Sequence, residues 1–320
     1  MKNFVSVSDV ENIPKLVQDV LNCKANPFGD QKIGQHKTLG LLFFNPSLRT
    51  RLSTQKAANN LGMSVMSMDL NSHGWRLEFE DGAIMNSDKA EHIKEGAAVI
   101  SQYCDIIGVR TFPTLTDQEK DYQEAVLSQF IKYSTVPIIS LESATRHPLQ
   151  ALTDLMTIRE YQKIKRPKIV LSWAPHPKAL PQAVANSFAE WMIAADMDLT
   201  ITHPKGYELS TNFVKNTPIE YDQKKAFEGA AFIDTKNWAS FNNYGKIIQP
   251  QLNWMITAEK MARTNEAYFM HCLPVRRNIV VADAVIDSEK SLVIQQANNR
   301  TYAAQAVLKN IIGSTGNLAC

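Results

Sequence analysis

Residues 38–51, TLGLLFFNPSLRTR, join a hydrophobic run to a polar turn that opens a helix. The run over residues 38–44 is typical of a strand buried on both faces. Residues 51–61 contain no Pro or Gly and stop before Gly62, so they predict a helix. A strand, turn and helix in this order direct free backbone N–H groups at one point, where Arg49 and the hydroxyls of Ser47 and Thr50 add donors suited to a phosphate. The alternative is an ordinary helix start whose arginines face solvent.

Length and composition set the broad class. A chain of 320 residues fits two domains of about 150 residues. With 34 Lys and Arg against 32 Asp and Glu, the net charge of +2 does not suggest a nucleic-acid partner. Cys23, Cys104, Cys272 and Cys320 are widely spaced without metal-ligand spacing, so we interpret them as free thiols in a reducing compartment. Without an apolar signal core or a membrane-length apolar stretch, the sequence predicts a soluble cytoplasmic protein with no membrane partner.

The first half of the chain alternates strands with helices. Hydrophobic periodicity predicts helices at 8–24, 90–103 and 118–133, and strands at 63–70, 104–109 and 136–141, with a long polar loop at 78–91. This alternation favours a parallel α/β sheet. Ligands of such sheets bind beyond the carboxyl ends of the strands, where Arg110, Glu142 and the turn at Arg49 are predicted to lie.

The second half repeats the pattern after a helix that begins at Pro148. The predicted strands are 169–173, 198–202, 230–233, 269–273 and 292–294, with helices at 180–195 and 302–312. Polar residues again follow the strands, among them His176, Lys236 and Arg276. The sequence therefore predicts an α/β protein of two domains, each with a central parallel sheet flanked by helices. The predicted boundaries are 1–150 together with a closing helix at about 299–320, and 151–298.

Five separated motifs, in this order, resemble the transcarbamylase family, whose members use carbamoyl phosphate to carbamoylate an amine. They are SLRTR at 47–51, Arg110, HPLQ at 147–150, HCLP at 271–274 and Arg300. The resemblance spans nearly the whole chain. It implies an active site in the cleft between the two domains, a catalytic homotrimer with active sites at subunit interfaces, and neither a cofactor nor a metal. It also implies that the first domain binds carbamoyl phosphate.

The resemblance assigns roles to individual residues. The catalytic set is Arg49, Thr50, Arg110, His147 and Gln150. The residues implied to bind carbamoyl phosphate are Ser47, Leu48, Arg49, Thr50, Trp75, Arg110, His147, Pro148, Leu149, Gln150, Cys272, Leu273 and Arg300. The chemistry agrees, because a neutral amine attacking the carbonyl carbon creates a tetrahedral oxyanion that needs preorganised donors, each worth about 3 kcal/mol. No covalent nucleophile is required, and we interpret Cys272 as a packed residue near the ligand.

Three departures from ornithine and aspartate transcarbamylases indicate the acceptor. They are the SLRT turn, the segment DTKNW at 234–238 and the segment WAPHPK at 173–178. They resemble the acylornithine branch, which carbamoylates N-acetyl- or N-succinyl-L-ornithine for arginine synthesis. This resemblance implies that the second domain binds the acylornithine and that Glu142, His176, Lys236, Arg276 and Ala90 contact it. Cationic side chains suit its carboxylates. Ala90 is similar in position to a glutamate of the acetyl enzymes, and its lack of charge favours N-succinyl-L-ornithine.

Other functions stay open at this point. N-acetylornithine and then ornithine are the alternative acceptors. A non-catalytic sensor of anionic metabolites also fits an α/β fold with anion-binding turns, and turnover of carbamoyl phosphate distinguishes it from an enzyme. An NAD-dependent dehydrogenase is disfavoured because no GxGxxG follows any predicted strand.

Overall fold

The computed structural model describes residues 1–248 and 252–316 of the chain. The chain forms two compact units. The first comprises Met1–Leu149 and the chain from Arg300 onward, and the second comprises Gln150–Asn299. Two helices, α7 and α13, contain the points at which the chain passes from one unit to the other.

The first unit is built on a parallel sheet of four strands. Its sheet order is β2-β1-β5-β6, and β3 and β4 form a separate two-stranded sheet. The strands are β1 (Thr38–Phe43), β2 (Ser64–Asp69), β3 (Arg76–Glu78), β4 (Lys89–His92), β5 (Ile106–Arg110) and β6 (Ile138–Glu142). The helices are α1 (Ile13–Ala25), α2 (Arg49–Asn60), α3 (Leu70–His73), α4 (Ile93–Tyr103), α5 (Gln118–Tyr122) and α6 (Ala125–Tyr133).

The central strand β1 explains why this sequence forms a buried parallel strand. Its apolar residues Leu39 and Leu41 are fully buried. Gly40 is required by a close approach, since a Cβ atom there would lie 2.6 Å from the Cys104 sulfur. By contrast, the edge strand β2 is mostly exposed, including Met66 and Met68. Among the described residues, no further strand pairs with β2, so one side of this sheet is a partly apolar edge.

The second unit is built on a parallel sheet of five strands in the order β11-β10-β7-β8-β9. Its core joins Val170, Ile233 and Phe269 from three of these strands. The strands are β7 (Lys168–Trp173), β8 (Asp198–Thr202), β9 (Ile219–Glu220), β10 (Phe232–Lys236) and β11 (Tyr268–Met270). The helices within it are α8 (Ala183–Ala194), α9 (Thr211–Val214), α10 (Gln223–Phe227), α11 (Ala258–Met261) and α12 (Asp283–Ile286). The helices shared by the two units are α7 (Pro148–Tyr161) and α13 (Val293–Gly316), and α13 belongs to the first unit from Arg300 onward.

Several elements differ from the sequence-based predictions. The first helix begins at Ile13, because Asn12 accepts the N–H of Lys15 and caps it there. The helix predicted at 118–133 is interrupted at Glu124, whose backbone is left-handed with φ 54°. The residues predicted as a strand at 292–294 lie at the start of α13 instead. The start of the helix predicted at 90–103 is the strand β4.

The predicted α/β class with two domains and parallel sheets is confirmed. The predicted position of an active site between the domains stays a prediction. Residues 317–320 of the predicted closing helix, with Cys320, lie outside the described part of the chain. Within that part, no helix combines the length and the apolar character needed to span a bilayer.

Candidate active site

At one edge of the first sheet, two strands end in charged residues and a third leads into a polar turn. β1 leads into the turn at residues 44–48 and then into α2, whose first residue is Arg49. Arg110 is the last residue of β5, and Glu142 is the last residue of β6. Because β1, β5 and β6 are adjacent and parallel, their carboxyl ends meet at this edge. The sequence-based prediction of this placement is confirmed.

The Thr50 hydroxyl is the centre of a buried polar cluster. Thr50 is only 1% exposed, and its Oγ1 accepts hydrogen bonds from Arg110 Nη1 at 3.1 Å and from Arg300 Nη2 at 2.8 Å. The Thr50 N–H donates to Ser47 Oγ at 3.3 Å, which fixes the turn on the helix. A hydroxyl has two lone pairs and one proton. Since both arginines donate to Oγ1, its own O–H is left to donate to a ligand oxygen.

Glu142 and His147 complete this cluster. Arg110 Nη1 lies 2.8 Å from Glu142 Oε2, and His147 Nε2 lies 3.6 Å from the same oxygen. Arg300 Nη2 is 3.5 Å from His147 Nε2. Arg110 thus pairs with the Glu142 carboxylate, and the Arg300 guanidinium lies against Thr50 and His147, so two guanidinium groups with donors suited to an anion stand in this cluster. The resemblance assigned Glu142 to the acylornithine, whereas the structure places its carboxylate against Arg110, a residue assigned to carbamoyl phosphate.

Glu124, which the sequence analysis did not identify, holds the loop that connects two members of this cluster. The Glu124 carboxylate accepts hydrogen bonds from Ser143 Oγ at 2.7 Å, from the N–H groups of Ala144 and Thr145 at 3.1 and 2.8 Å, and from Thr145 Oγ1 at 2.5 Å. These bonds hold the loop that joins Glu142 to His147. Nothing in the local sequence distinguishes Glu124 from an ordinary helix glutamate.

The remaining candidates of the phosphate turn are less buried. Ser47 and Arg49 are half-buried, and Leu48 is 71% exposed. Pro148 and Leu149 open α7 beside His147, with Leu149 buried.

Trp75 and Ala90 lie on an exposed part of the first unit, beside the two-stranded sheet. The indole of Trp75 is 62% exposed and donates to Glu91 Oε2 at 2.7 Å. Ala90 is exposed and precedes Glu91 on β4. Side chains of successive strand residues point to opposite faces. The side chains of Ala90 and Glu91 therefore lie on opposite faces of β4, and the hydrogen bond from Trp75 holds the Glu91 carboxylate on its own face. Glu91 does not supply a negative charge at the position of the Ala90 side chain.

In the second unit, Gln150 belongs to a buried network. Its Nε2 donates to Asp154 Oδ1 at 2.7 Å, and Gln296 Nε2 donates to the same oxygen at 2.7 Å. Gln296 Oε1 in turn accepts the N–H of His271 at 2.9 Å. The signal for Asp154 was present in the sequence, because Gln and Asp four residues apart on a helix are neighbours. For Gln296 there was no such signal.

The turn after β11 contains Cys272 and Leu273. Leu273 has a left-handed backbone with φ 53°, and its N–H donates to His271 Nδ1 at 2.9 Å. A left-handed leucine is held in place by its surroundings. This short, fixed turn places the backbone of Cys272 and Leu273 directly after the strand end.

Two of the residues assigned to the acylornithine are in direct contact. Arg276 Nε donates to His176 Nε2 at 3.1 Å, and His176 Nδ1 lies 3.0 Å from the carbonyl oxygen and 3.1 Å from the backbone nitrogen of Lys178. Burial, and then the charges of Arg276, Lys236 and Lys178, lower the pKa of His176. The hydrogen bond with the Lys178 backbone has the opposite effect. His176 is therefore neutral at pH 7.

Arg276 and Arg277 have different environments. Arg277 donates to Asp283 at 2.8 Å and to Asp287 at 2.6 and 2.7 Å. These carboxylates accept hydrogen bonds from the Arg277 guanidinium and raise its pKa. Arg276 is exposed and has no carboxylate partner among the described residues. Lys236, half-buried at the end of β10, is the other cation of this region. No group of three His, Cys, Asp or Glu in the described part of the chain is arranged to hold a metal ion.

Two family profiles match the chain. Residues 2–160 match the carbamoyl-phosphate binding domain of aspartate/ornithine carbamoyltransferases, and residues 181–311 match the Asp/Orn binding domain of the same proteins. The two matches together cover well over half of the chain.

Individual relatives are similar over almost the full length. An N-succinylornithine carbamoyltransferase of Bacteroides thetaiotaomicron is 54% identical over 314 residues, covering 98% of this chain and 99% of the relative. An N-acetylornithine carbamoyltransferase of Xanthomonas axonopodis pv. citri is 34% identical over 339 residues, covering 99% and 98%. A crystal structure of a glutamate-to-alanine variant of N-acetyl-L-ornithine transcarbamylase, complexed with carbamyl phosphate and N-succinyl-L-norvaline, superposes with a TM-score of 0.91 at 33% identity, covering 97% and 100%.

Proposed function

Because the chain belongs to the aspartate/ornithine carbamoyltransferase family, we propose that it transfers the carbamoyl group of carbamoyl phosphate to the δ-amine of N-succinyl-L-ornithine. The products are N-succinyl-L-citrulline and phosphate, and the reaction serves arginine biosynthesis. The observation that carries the proposal is the convergence of Arg110 and Arg300 on the Thr50 hydroxyl at the start of α2. This cluster supplies positive charge and a free O–H where a phosphoryl group with two negative charges needs both.

The reaction proceeds by addition and elimination. The neutral δ-nitrogen attacks the carbonyl carbon, a C–N bond forms, and the carbonyl electron pair moves onto oxygen. The pair then restores the carbonyl as the C–O bond to phosphate breaks, and the departing phosphate accepts the proton that the nitrogen loses. We assign Thr50, Arg110 and His147 to the oxyanion, since preorganised donors of this kind each contribute about 3 kcal/mol to the transition state.

We assign the phosphate to Ser47, Leu48, Arg49, Thr50, Arg110 and Arg300. Gln150, with the backbone of Cys272 and Leu273, is assigned to the carbamoyl group, beside Pro148 and Leu149. In this proposal the unit that starts at Met1 binds carbamoyl phosphate, and the unit at Gln150–Asn299 binds the acylornithine. Glu142 stays assigned to the acceptor; its carboxylate is available when an anion takes its place on Arg110.

The succinyl acceptor is supported by charge. N-succinyl-L-ornithine has two carboxylates, and the exposed Arg276 and the half-buried Lys236 are cations without a bound carboxylate among the described residues. Ala90 places no negative charge near the succinyl group. Replacement of a glutamate by alanine accompanies a succinylated ligand in the structure of the acetylornithine relative, and the 54% identical relative is named for the succinylated substrate.

The experiment is an assay of ureido product from carbamoyl phosphate with succinylornithine, acetylornithine and ornithine in parallel. We expect kcat/KM to be highest for succinylornithine and lowest for ornithine. A higher value for acetylornithine overturns the acceptor assignment. Binding of carbamoyl phosphate without product from any of the three overturns the enzyme assignment in favour of an anion sensor.

Two further properties belong to the proposal. A homotrimer with active sites at subunit interfaces is supported by the exposed edge strand β2 and by the exposed Leu48, Leu52, Met66 and Met68. Sedimentation at three times the chain mass of 35.9 kDa is expected, and a monomer contradicts it. The cytoplasm is supported by Cys23 and Cys104, which are buried thiols; burial raises the pKa of Cys23 to about 11 and makes it unreactive.

A further inference from the structure

Two buried carboxyl groups of the second unit meet at one amide side chain. Asp154 on α7 is 1% exposed and Asp234 on β10 is 2% exposed. Gln296 Nε2 donates to Asp154 Oδ1 at 2.7 Å, and Gln296 and Asp154 both influence the pKa of Asp234. Two buried neighbouring carboxylates repel each other when both are ionised, which favours retention of a proton by the pair.

The hydrogen bonds identify the carboxyl group that holds the proton. Asp154 Oδ1 accepts N–H groups from both Gln150 and Gln296, which stabilises its ionised form. Asp234 Oδ1 has no hydrogen-bond partner in the described part of the chain. Burial and then the charge of Asp154 raise the pKa of Asp234 well above its ordinary value, against smaller opposing effects of Gln296 and Lys236. The proton therefore belongs to Asp234.

The ionised Asp154 orients two parts of the second unit. It holds the amide of Gln150 directly, and through Gln296 it holds the N–H of His271 at the start of the turn with Cys272 and Leu273. Hydrogen bonds to a charged acceptor are about twice as strong as neutral ones. Both parts are assigned to the carbamoyl group in the proposed reaction.

We propose that Asp154 is a positioning residue for the carbamoyl group and that Asp234 is its protonated partner. The role of Asp154 towards the carbamoyl group rests on the proposed function, whereas the protonation of Asp234 does not. The titratable groups that act on Asp234 are Asp154 on α7 and Lys236 on its own strand. His271 follows Met270, the residue of β11 that pairs with Asp234. Loss of the proton as the pH rises adds a second negative charge to this network, so the alignment of Gln150 and His271 weakens.

The kinetic test compares Asp154→Asn with Asp234→Asn. Asparagine resembles a protonated carboxyl in shape and charge, so Asp234→Asn should retain kcat/KM within about threefold. Asp154→Asn should lower kcat/KM for carbamoyl phosphate about 30-fold, because neutral bonds replace charge-assisted ones, while the KM for succinylornithine stays unchanged. Asp198→Asn, at an exposed position in the same unit, is the matched control. Equal losses in the two buried variants, or none in Asp154→Asn, overturn the proposal.

If Asp154→Asn does not fold, Gln296→Leu takes its place. That variant keeps both carboxyl groups but removes the link between Asp154 and the His271 N–H. It should raise the KM for carbamoyl phosphate by a similar factor, and an unchanged KM overturns the positioning role.

The protonation test needs no activity, so its outcome is independent of the proposed function. A carboxyl whose pKa is raised on folding stabilises the fold fully only below its unfolded pKa of about 3.9, and this contribution is lost as the pH rises. Asp234→Asn should therefore melt with the wild type near pH 4 and at a higher temperature at pH 7 to 8. At pH 7 its infrared spectrum should lack the C=O band of a protonated carboxylic acid. An equal or lower melting temperature at pH 7, or an unchanged spectrum, overturns the assignment.

Discussion

The two groups of candidate residues differ in how firmly the free protein holds them. In the first unit, Thr50, Arg110, Glu142, His147 and Arg300 are all buried and connected by short contacts. In the second unit, His176 and Lys236 are half-buried and Arg276 is exposed. The difference teaches that the part assigned to an invariant small dianion is preorganised, whereas the part assigned to a longer, flexible acceptor keeps its cations accessible.

The largest effect is expected from Arg49→Ala, since the first group acts on the reacting phosphate. Loss of one charged donor should lower kcat/KM about 10³-fold with little change in stability. Arg51→Ala is the matched control two residues away. Arg51 pairs with Asp69 at 2.6 Å and stacks on Phe43 at 4.4 Å, so its loss should lower the melting temperature and leave kcat nearly unchanged. Similar kinetics of the two variants would refute the phosphate assignment.

A smaller loss is expected when the support of the first group is removed. Glu124→Ala deletes an acceptor of four hydrogen bonds in the loop between Glu142 and His147. We expect kcat to fall about 30-fold, because misplaced catalytic groups lose rate steeply, with a modest rise in the KM for carbamoyl phosphate. Glu124→Gln keeps one acceptor oxygen and should recover part of kcat. If both variants lose stability but not kcat, the preorganisation of this loop does not matter for the reaction.

In the second group, loss of a single cation is expected to weaken binding of succinylornithine without changing kcat. Arg276→Ala should raise the KM for succinylornithine about tenfold, with kcat and the KM for carbamoyl phosphate unchanged. Arg277→Ala is the matched control, because Asp283 and Asp287 already occupy its guanidinium. A larger KM effect at Arg277 would reverse the assignment of the two arginines.

Ala90→Glu is expected to change the overall rate least. Its effect should be on the preference between succinylornithine and acetylornithine. A carboxylate there should repel the succinyl group and shift the ratio of kcat/KM from succinylornithine towards acetylornithine about fivefold, as for one exposed charge pair. Ala90→Gln adds the same bulk without charge and should leave the ratio near the wild-type value. Equal ratios in all three proteins would mean that Ala90 does not face the acyl group.

Local patterns were sufficient for much of the fold. The run at 38–44 and the turn after it predicted β1 and the start of α2, and the strand at 198–202 was predicted with the observed bounds. The interruption at Glu124 was not predictable, because its partners lie about 20 positions along the chain in a loop whose path only the fold determines. The same holds for the contact of Gln296 with Asp154, because the two residues are 142 positions apart.

The left-handed backbone of Glu124 has a consequence for engineering. A non-glycine residue in this region is strained by roughly 1 to 2 kcal/mol, so a glycine there would relax the chain between α5 and α6. The same exchange would release the loop that leads to His147. A stabilisation screen that considers backbone strain alone would therefore choose glycine at position 124, and that substitution would disable the enzyme. Relief of strain favours glycine at this position, whereas alignment of the reacting groups requires glutamate.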